Sequence, residues 1–531
     1  MRSKILLLAS LSALALLFYY PVVSILVWGF SPSTLLEVLR DEYYRRVIAF
    51  TFWQAILSTL LTLAIGLPGA YLFANYEFPG KRVLKALLTV PFVMPSVMVA
   101  LGFIVLFGRS GMVASLIGRD PGILYSWKAI ILAHAFYNFP VVLRMVSALW
   151  ERISPSYEEV ASTLGAKGFT LFFSVTLPML LPGLAAAGML TFIFCFMSFS
   201  IPLILGGYRY TTLEVAIFTS IMTLLDFRTG SALALLQMAF SFTFMYLYLN
   251  LLDEYSRASS QGIIRRQRRV SLGDLLTVKG LVMLLYFAFI TAFILGPLFA
   301  VVYSSLIYGD RLSLEWYKRL FSEEYNPLFG TNVLGIIKNS LLFGFSTVVL
   351  ATLLALLTAY VSHRWSFRGK RVFDTLATLP LASSPIVLGL GYLLAFREFV
   401  GSPLLIIMAH TTMAYPFALR SISAALKKVG VSVREAAMSL GATELRAFLN
   451  VELPLALGGL IVGAIFSFAM SMAELGATYM LYKPEYTTMT IAVYRYIGAR
   501  QFGPASALAV LLMVISAIGF MIIERVGEEA W

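Results

Sequence analysis

The chain has 531 residues, of which 60% are hydrophobic and only 13% charged, with a mean hydropathy of +0.86. A soluble protein of this size carries about 25% charged residues, so the composition excludes a soluble enzyme. The formal net charge of +13 reflects the gathering of Lys and Arg on the cytoplasmic side of membrane proteins and not a nucleic-acid partner.

Apolar runs long enough to cross a bilayer as helices fall at 5–29, 47–75, 84–107, 126–147, 180–206 and 231–252. A second set falls at 280–305, 339–362, 373–398, 402–424, 455–482 and 506–525. The period-2 alternation of a membrane β-barrel is missing. The fold class is therefore all-α and polytopic, with about twelve transmembrane helices. The first run begins like a secretory signal, but Pro21 has a counterpart in Pro297 within the seventh run, which argues that the first span is retained. With both ends cytoplasmic, more of the 40 Lys and Arg lie on cytoplasmic segments than on outer ones. The clearest basic cluster is Arg265, Arg266, Arg268 and Arg269. The lone cysteine, Cys195, excludes an internal disulfide and reads as a small buried hydrophobe.

The two sets of runs are one unit written twice. AYLFANYEFPGKRV (70–83) matches AYVSHRWSFRGKRV (359–372), and Leu101-Gly102-Phe103 matches Leu390-Gly391-Tyr392. His134, Pro140 and Arg144 match His410, Pro416 and Arg420. Six spans in each half place the halves in the same orientation, as parallel repeats. The division is a first repeat at 1–252, a polar basic linker at 253–279 and a second repeat at 280–531.

The most informative match lies between the fourth and fifth span of each half. SYEEVASTLGAKGFTLFFSVTLPMLLPGL (156–184) pairs with SVREAAMSLGATELRAFLNVELPLALGGL (432–460). Ser156 with Glu159, and Ser432 with Glu435, each fit a capping box at the start of a short helix. Gly165 and Gly441 then permit a left-handed turn. A second amphipathic helix is expected up to Leu177-Pro178 and Leu453-Pro454, where proline ends it or starts the next span.

These residues resemble the EAA loop of permease subunits of binding-protein-dependent ABC importers: Glu-Ala-Ala, then Gly, then a hydrophobic-Pro pair. EAAMSLG (435–441) matches fully, and EVASTLG (159–165) has Val160 for the first Ala. The resemblance implies a type I ABC importer permease fold. It also implies that Glu159, Ala161, Gly165 and Pro178 dock one cytoplasmic ATPase, and Glu435, Ala437, Gly441 and Pro454 a second copy. No G-x-x-x-x-G-K-[ST] loop occurs, so ATP and Mg belong to the partner ATPase, and no cofactor or metal is expected on this chain. The other implied partners are an extracytoplasmic solute-binding protein and the lipid of the cell membrane. With both halves in one chain, no second permease chain is needed.

A fused pair of halves resembles the thiamine and iron(III) permeases, which points to one of those solutes. FIFCFMSFSIPLILGG with TTLEVAIF (192–218) resembles the thiamine group. Ala473-Glu474-Leu475-Gly476-Ala477-Thr478 also suits the iron group, and more weakly the molybdate and sulfate permeases. Glu474 reads as the one acidic residue well inside a span, which makes it a pathway candidate, and Ser198 is its repeat partner. Phe199 and Tyr479 flank it as candidate pathway aromatics. A secondary transporter of the major-facilitator type shares the twelve spans and parallel halves. It lacks the matched loops and requires buried charge pairs that the chain does not show. A membrane enzyme requires clustered catalytic residues, which are absent.

Overall fold

The computed structural model describes residues 2–260, 267–270, 272–275, 277–309, 311–322, 326–365 and 367–530. Arg265 and Arg266 of the linker cluster lie outside them. Backbone polar groups in lipid must bond within their own segment, and the described chain is accordingly helical, apart from two two-stranded ribbons outside the spans. Among the described residues, eight helices are long and apolar enough to cross a membrane, and ten spans result if each of two sharply bent pairs counts as one. The remaining two expected spans are Pro403–Lys428 and the final helix, Phe502–Ala530.

Several spans are broken, each at a point where the sequence withdraws backbone donors or favours turns. The third runs as Lys81–Val93 and Ser96–Phe107, interrupted at Met94-Pro95. The ninth bends by 104° between Lys370–Ala382 and Pro385–Ala395, where Ser384 caps the second piece. The fifth breaks after Phe196 and the eleventh after Ala473. Segment 207–230, left between the fifth and sixth expected spans, contains the buried apolar helix Leu213–Met222. Broken helices at membrane depth are tolerated only where the freed backbone is buried in protein or lines a water-filled cavity, so these breaks face the interior of the molecule and not lipid.

The halves exchange their first spans. Tyr20–Gly29 packs on Pro385–Ala395 of the second half, while Val278–Leu306 packs on Ser96–Phe107 of the first. The repeat-matched residues meet crosswise. A Cβ on Gly102 would lie 2.8 Å from the Pro297 carbonyl oxygen, and one on Gly391 would lie 2.9 Å from that of Pro21. Hydrogen bonds follow the same exchange: Tyr392 Oη donates to Leu17 O at 2.7 Å and Tyr286 Oη to Ile65 O at 2.9 Å. The largest buried apolar cluster draws on both halves. In the linker, Arg268–Arg269 forms a short parallel ribbon with Tyr76–Glu77, and Lys81 Nζ donates to Gln267 Oε1 at 2.6 Å. The linker is thereby stitched to the turn between the second and third spans.

Candidate functional site: coupling segments and a polar, aromatic centre

The repeated segments fold alike. Each opens with a nine-residue helix, Pro155–Thr163 or Val431–Ser439. The capping boxes expected from Ser156 and Ser432 do not form. Ser154 caps the first helix because Pro155 is already suited to the first helical turn, and Gly430 occupies the cap of the second. Glu159 and Glu435 are exposed, and their side chains make no hydrogen bond among the described residues.

Both helices end in the same way. Gly165 and Gly441 have φ of +95° and +92°. Ala166 N donates to Ala161 O at 3.0 Å, and Ala442 N to Ala437 O at 3.1 Å. This is a Schellman ending, and it explains the Ala-to-Gly spacing: the alanine carbonyl is the one the reversed chain reaches. The turn leaves Leu164 and Leu440 84% and 89% exposed. Phe169 and Leu445, also repeat-matched, are exposed beside them. The prolines do not end the following helices. A π-helical turn, Phe172–Thr176 or Phe448–Glu452, precedes each one, relieving the clash between the proline ring and the carbonyl four residues back. The first segment runs on into its span through Pro178, whereas the second bends by 75° beyond Pro454.

The two segments are tied to the membrane region differently. Thr176 Oγ1 donates to Glu158 Oε1 at 2.9 Å. The repeat-matched positions are Glu452 and Arg434, so the chemistry is inverted. Glu452 is fully buried and pairs with Arg364, at the end of the eighth span, at 2.7 Å. The contact is close, but the guanidinium is not aligned for a hydrogen bond.

At the centre, Glu474 follows the last helical residue of its span and turns back over the next short helix, Gly476–Leu481. Its Oε1 accepts from Ala477 N at 2.9 Å and its Oε2 from Thr478 N at 2.8 Å. Thr478 Oγ1 also donates to it, and His410 Nε2 lies 3.5 Å away. His410 is itself bonded to Ser471 at 2.7 Å. Both carboxylate oxygens are therefore committed to holding a broken helix. Ser198 sits half-buried at the matching break of the first half.

Phe199 and Tyr479 belong to one aromatic row that crosses between the halves. Phe199 meets Phe218 at 5.1 Å, Phe218 meets Tyr479 at 5.3 Å, and Tyr479 meets Tyr494 at 5.5 Å. Phe218 and Tyr494 are repeat-matched, whereas the matches of Phe199 and Tyr479 are Leu475 and Leu203. Phe196, two residues before Ser198, packs instead with Phe52 and Phe244 on the far side of its helix.

Glu474 is the one acidic residue well inside an expected span, but it is not the only buried one. Glu214, on Leu213–Met222, is 0% exposed. Gln237 Nε2 donates to its Oε1 at 2.7 Å, and Ser384 Oγ, from the second half, to its Oε2 at 3.0 Å. The signal available in sequence was the apolar run after Glu214, too short to register as a span.

Two helical halves with exchanged first spans, a closed seam of broken helices and a matched pair of projecting segments define a membrane transport permease carried on one chain. The chain belongs to the family of binding-protein-dependent transport system inner membrane components, whose sequence profile matches residues 65–257 and again 348–528. It is thus a multi-pass inner-membrane transport subunit. Among its relatives is the thiamine transport system permease protein of Brucella abortus (strain 2308), 30% identical over 506 residues, covering 92% of this chain and 89% of the relative. The thiamine permease of Salmonella typhimurium is 26% identical, covering 95% and 93%. The ferric transport system permease protein of Actinobacillus pleuropneumoniae is 26% identical, covering 96% and 76%. Among solved structures, a bacterial ABC transporter for the polysaccharide alginate aligns at a TM-score of 0.37 and 15% identity, over 47% of this chain and 93% of that one.

Proposed function

We propose that this chain is the complete membrane pore of an ATP-driven importer for a small solute, thiamine or ferric iron. The segments around Glu159, Ala161, Gly165 and Pro178, and around Glu435, Ala437, Gly441 and Pro454, each dock one copy of a cytoplasmic ATPase, which carries the ATP and Mg. Both termini are then cytoplasmic, and a solute-binding protein delivers cargo to the opposite face. Ser198, Phe199 and Tyr479 line the path, and Glu474 shapes it by capping the helix that carries Tyr479.

The observation that carries this reading is the exposure of Leu164 and Leu440 at repeat-equivalent helix ends. Exposed apolar patches of this kind mark interaction surfaces, and a left-handed turn holds each in a fixed attitude. The solute reading is supported by relatives that cover nine-tenths of this chain and are named for thiamine or ferric transport. Leu164→Arg and Leu440→Arg should each leave the permease folded and weaken capture of the purified ATPase by at least tenfold. ATPase capture at wild-type strength by the double variant refutes the docking assignment.

A further inference from the structure

We infer that Glu214 is a specificity-determining residue of the translocation path, selecting a positively charged, aromatic-ring solute. The inference rests on the transport reading above and adds the cargo chemistry. Of the three buried carboxyl groups among the described residues, Glu452 pairs with Arg364 and Glu474 is saturated by the helix it caps, whereas Glu214 has one donor on each oxygen. No Lys, Arg or His pairs with it among the described residues. An ionisable side chain at membrane depth without a counter-charge is a costly feature, and a cationic cargo supplies the counter-charge.

The surroundings specify more than charge. One Glu214 donor, Gln237, belongs to its own half. The other, Ser384, belongs to the opposite half and caps the bent ninth span by accepting from Val387 N at 3.1 Å. Phe218 lies one turn beyond Glu214 on the same helix and meets Tyr479 of the opposite half. A solute passing between the halves must part the Glu214–Ser384 bond and the Phe218–Tyr479 contact together. Parting them bares a carboxyl oxygen and two ring faces at once, a combination that favours a cation with a flat aromatic body. The repeat partner of Glu214 is Thr490, which is uncharged and donates to the Glu474 carbonyl at 2.8 Å. The site therefore offers a single carboxylate. A hard trivalent metal ion calls for several oxygen anions, and no cluster of three or more His, Cys, Asp or Glu suited to a metal occurs among the described residues.

The test uses the whole assembly, permease with ATPase and binding protein, in liposomes, with labelled thiamine as the cationic aromatic probe. The readout is thiamine delivered per ATP hydrolysed. Glu214→Gln is expected to lower it at least tenfold and Glu214→Asp to retain most of it, with both variants unfolding in micelles at the wild-type midpoint. Wild-type yield in Glu214→Gln overturns the inference. So does an equal loss in Glu214→Asp, which keeps the charge and assigns Glu214 to a fixed bond between the halves and not to recognising charge. A wild-type assembly that neither hydrolyses ATP nor moves solute defeats the transport reading itself. One that moves ferric iron but not thiamine defeats only the present inference.

Discussion

The crossed glycine–proline contacts make a sharp prediction about what joins the halves. In Gly391→Ala the new Cβ would stand 2.9 Å from the Pro21 carbonyl oxygen, 3.0 Å from its Cβ and 3.1 Å from its carbonyl carbon. Ordinary van der Waals contact begins at 3.4 Å, so three atoms must yield by about 0.3–0.5 Å. They belong to a proline inside a helix and cannot swing away as a flexible side chain would. Overpacking of this kind costs about 1–3 kcal/mol, against about 1 kcal/mol recovered because alanine favours the helix over glycine. Gly296→Ala is the control: its Cβ would meet only Leu106 Cδ2, at 3.6 Å, so it should gain up to about 1 kcal/mol. Equilibrium unfolding in mixed detergent micelles should thus separate the two variants by about 1–3 kcal/mol, with Gly102→Ala behaving like Gly391→Ala. If Gly391→Ala proves as stable as Gly296→Ala, the first spans are not seated as described.

Arg364→Gln strands the fully buried Glu452 and should cost about 3–5 kcal/mol. The double variant Arg364→Gln/Glu452→Gln should recover much of the loss, and hydrogen exchange across 444–455 reports it directly. Gly165→Ala and Gly441→Ala place a Cβ on a left-handed residue and should cost about 1–2 kcal/mol. Because no neighbour crowds either position, the cost should appear as roughly tenfold weaker ATPase binding, read by titration, and not as a clash. Glu474→Gln should lower the unfolding free energy by about 1–2 kcal/mol through its cap while leaving cargo preference unchanged. A change of cargo preference would move Glu474 from shaping the path to reading the solute.

The architecture was legible in the sequence to the extent that local rules governed it. Apolar run length gave the spans, and duplication gave the two halves. The Glu–Ala–Gly–Pro spacing located the projecting segments, because a Schellman ending needs its glycine at a set distance from the carbonyl it satisfies. At the helix caps, where the local rule had two solutions, the sequence reading chose wrongly. Ser156 and Ser432 have the capping-box pattern, yet Ser154 before Pro155 offered the better cap. Leu177-Pro178 read as a helix end or as the start of the next span, and the structure takes the second course, a π turn leading into Leu177–Phe196 with Pro178 in its first turn.

What only the tertiary structure decided is which distant residues meet. Pro21 with Pro297 and Gly102 with Gly391 were visible as repeats, but sequence similarity pairs like with like. The structure instead pairs Pro21 with Gly391 and Pro297 with Gly102, because each first span is buried against the other half. Glu214 escaped notice for the same reason. Ten helical residues are too few to span a bilayer alone, and their burial depends on neighbours drawn from both halves. Length, hydropathy and repetition are properties of one strand of chain and survive in the sequence. The closing of two halves around a shared seam depends on contacts between residues far apart in the chain and exists only in the folded protein.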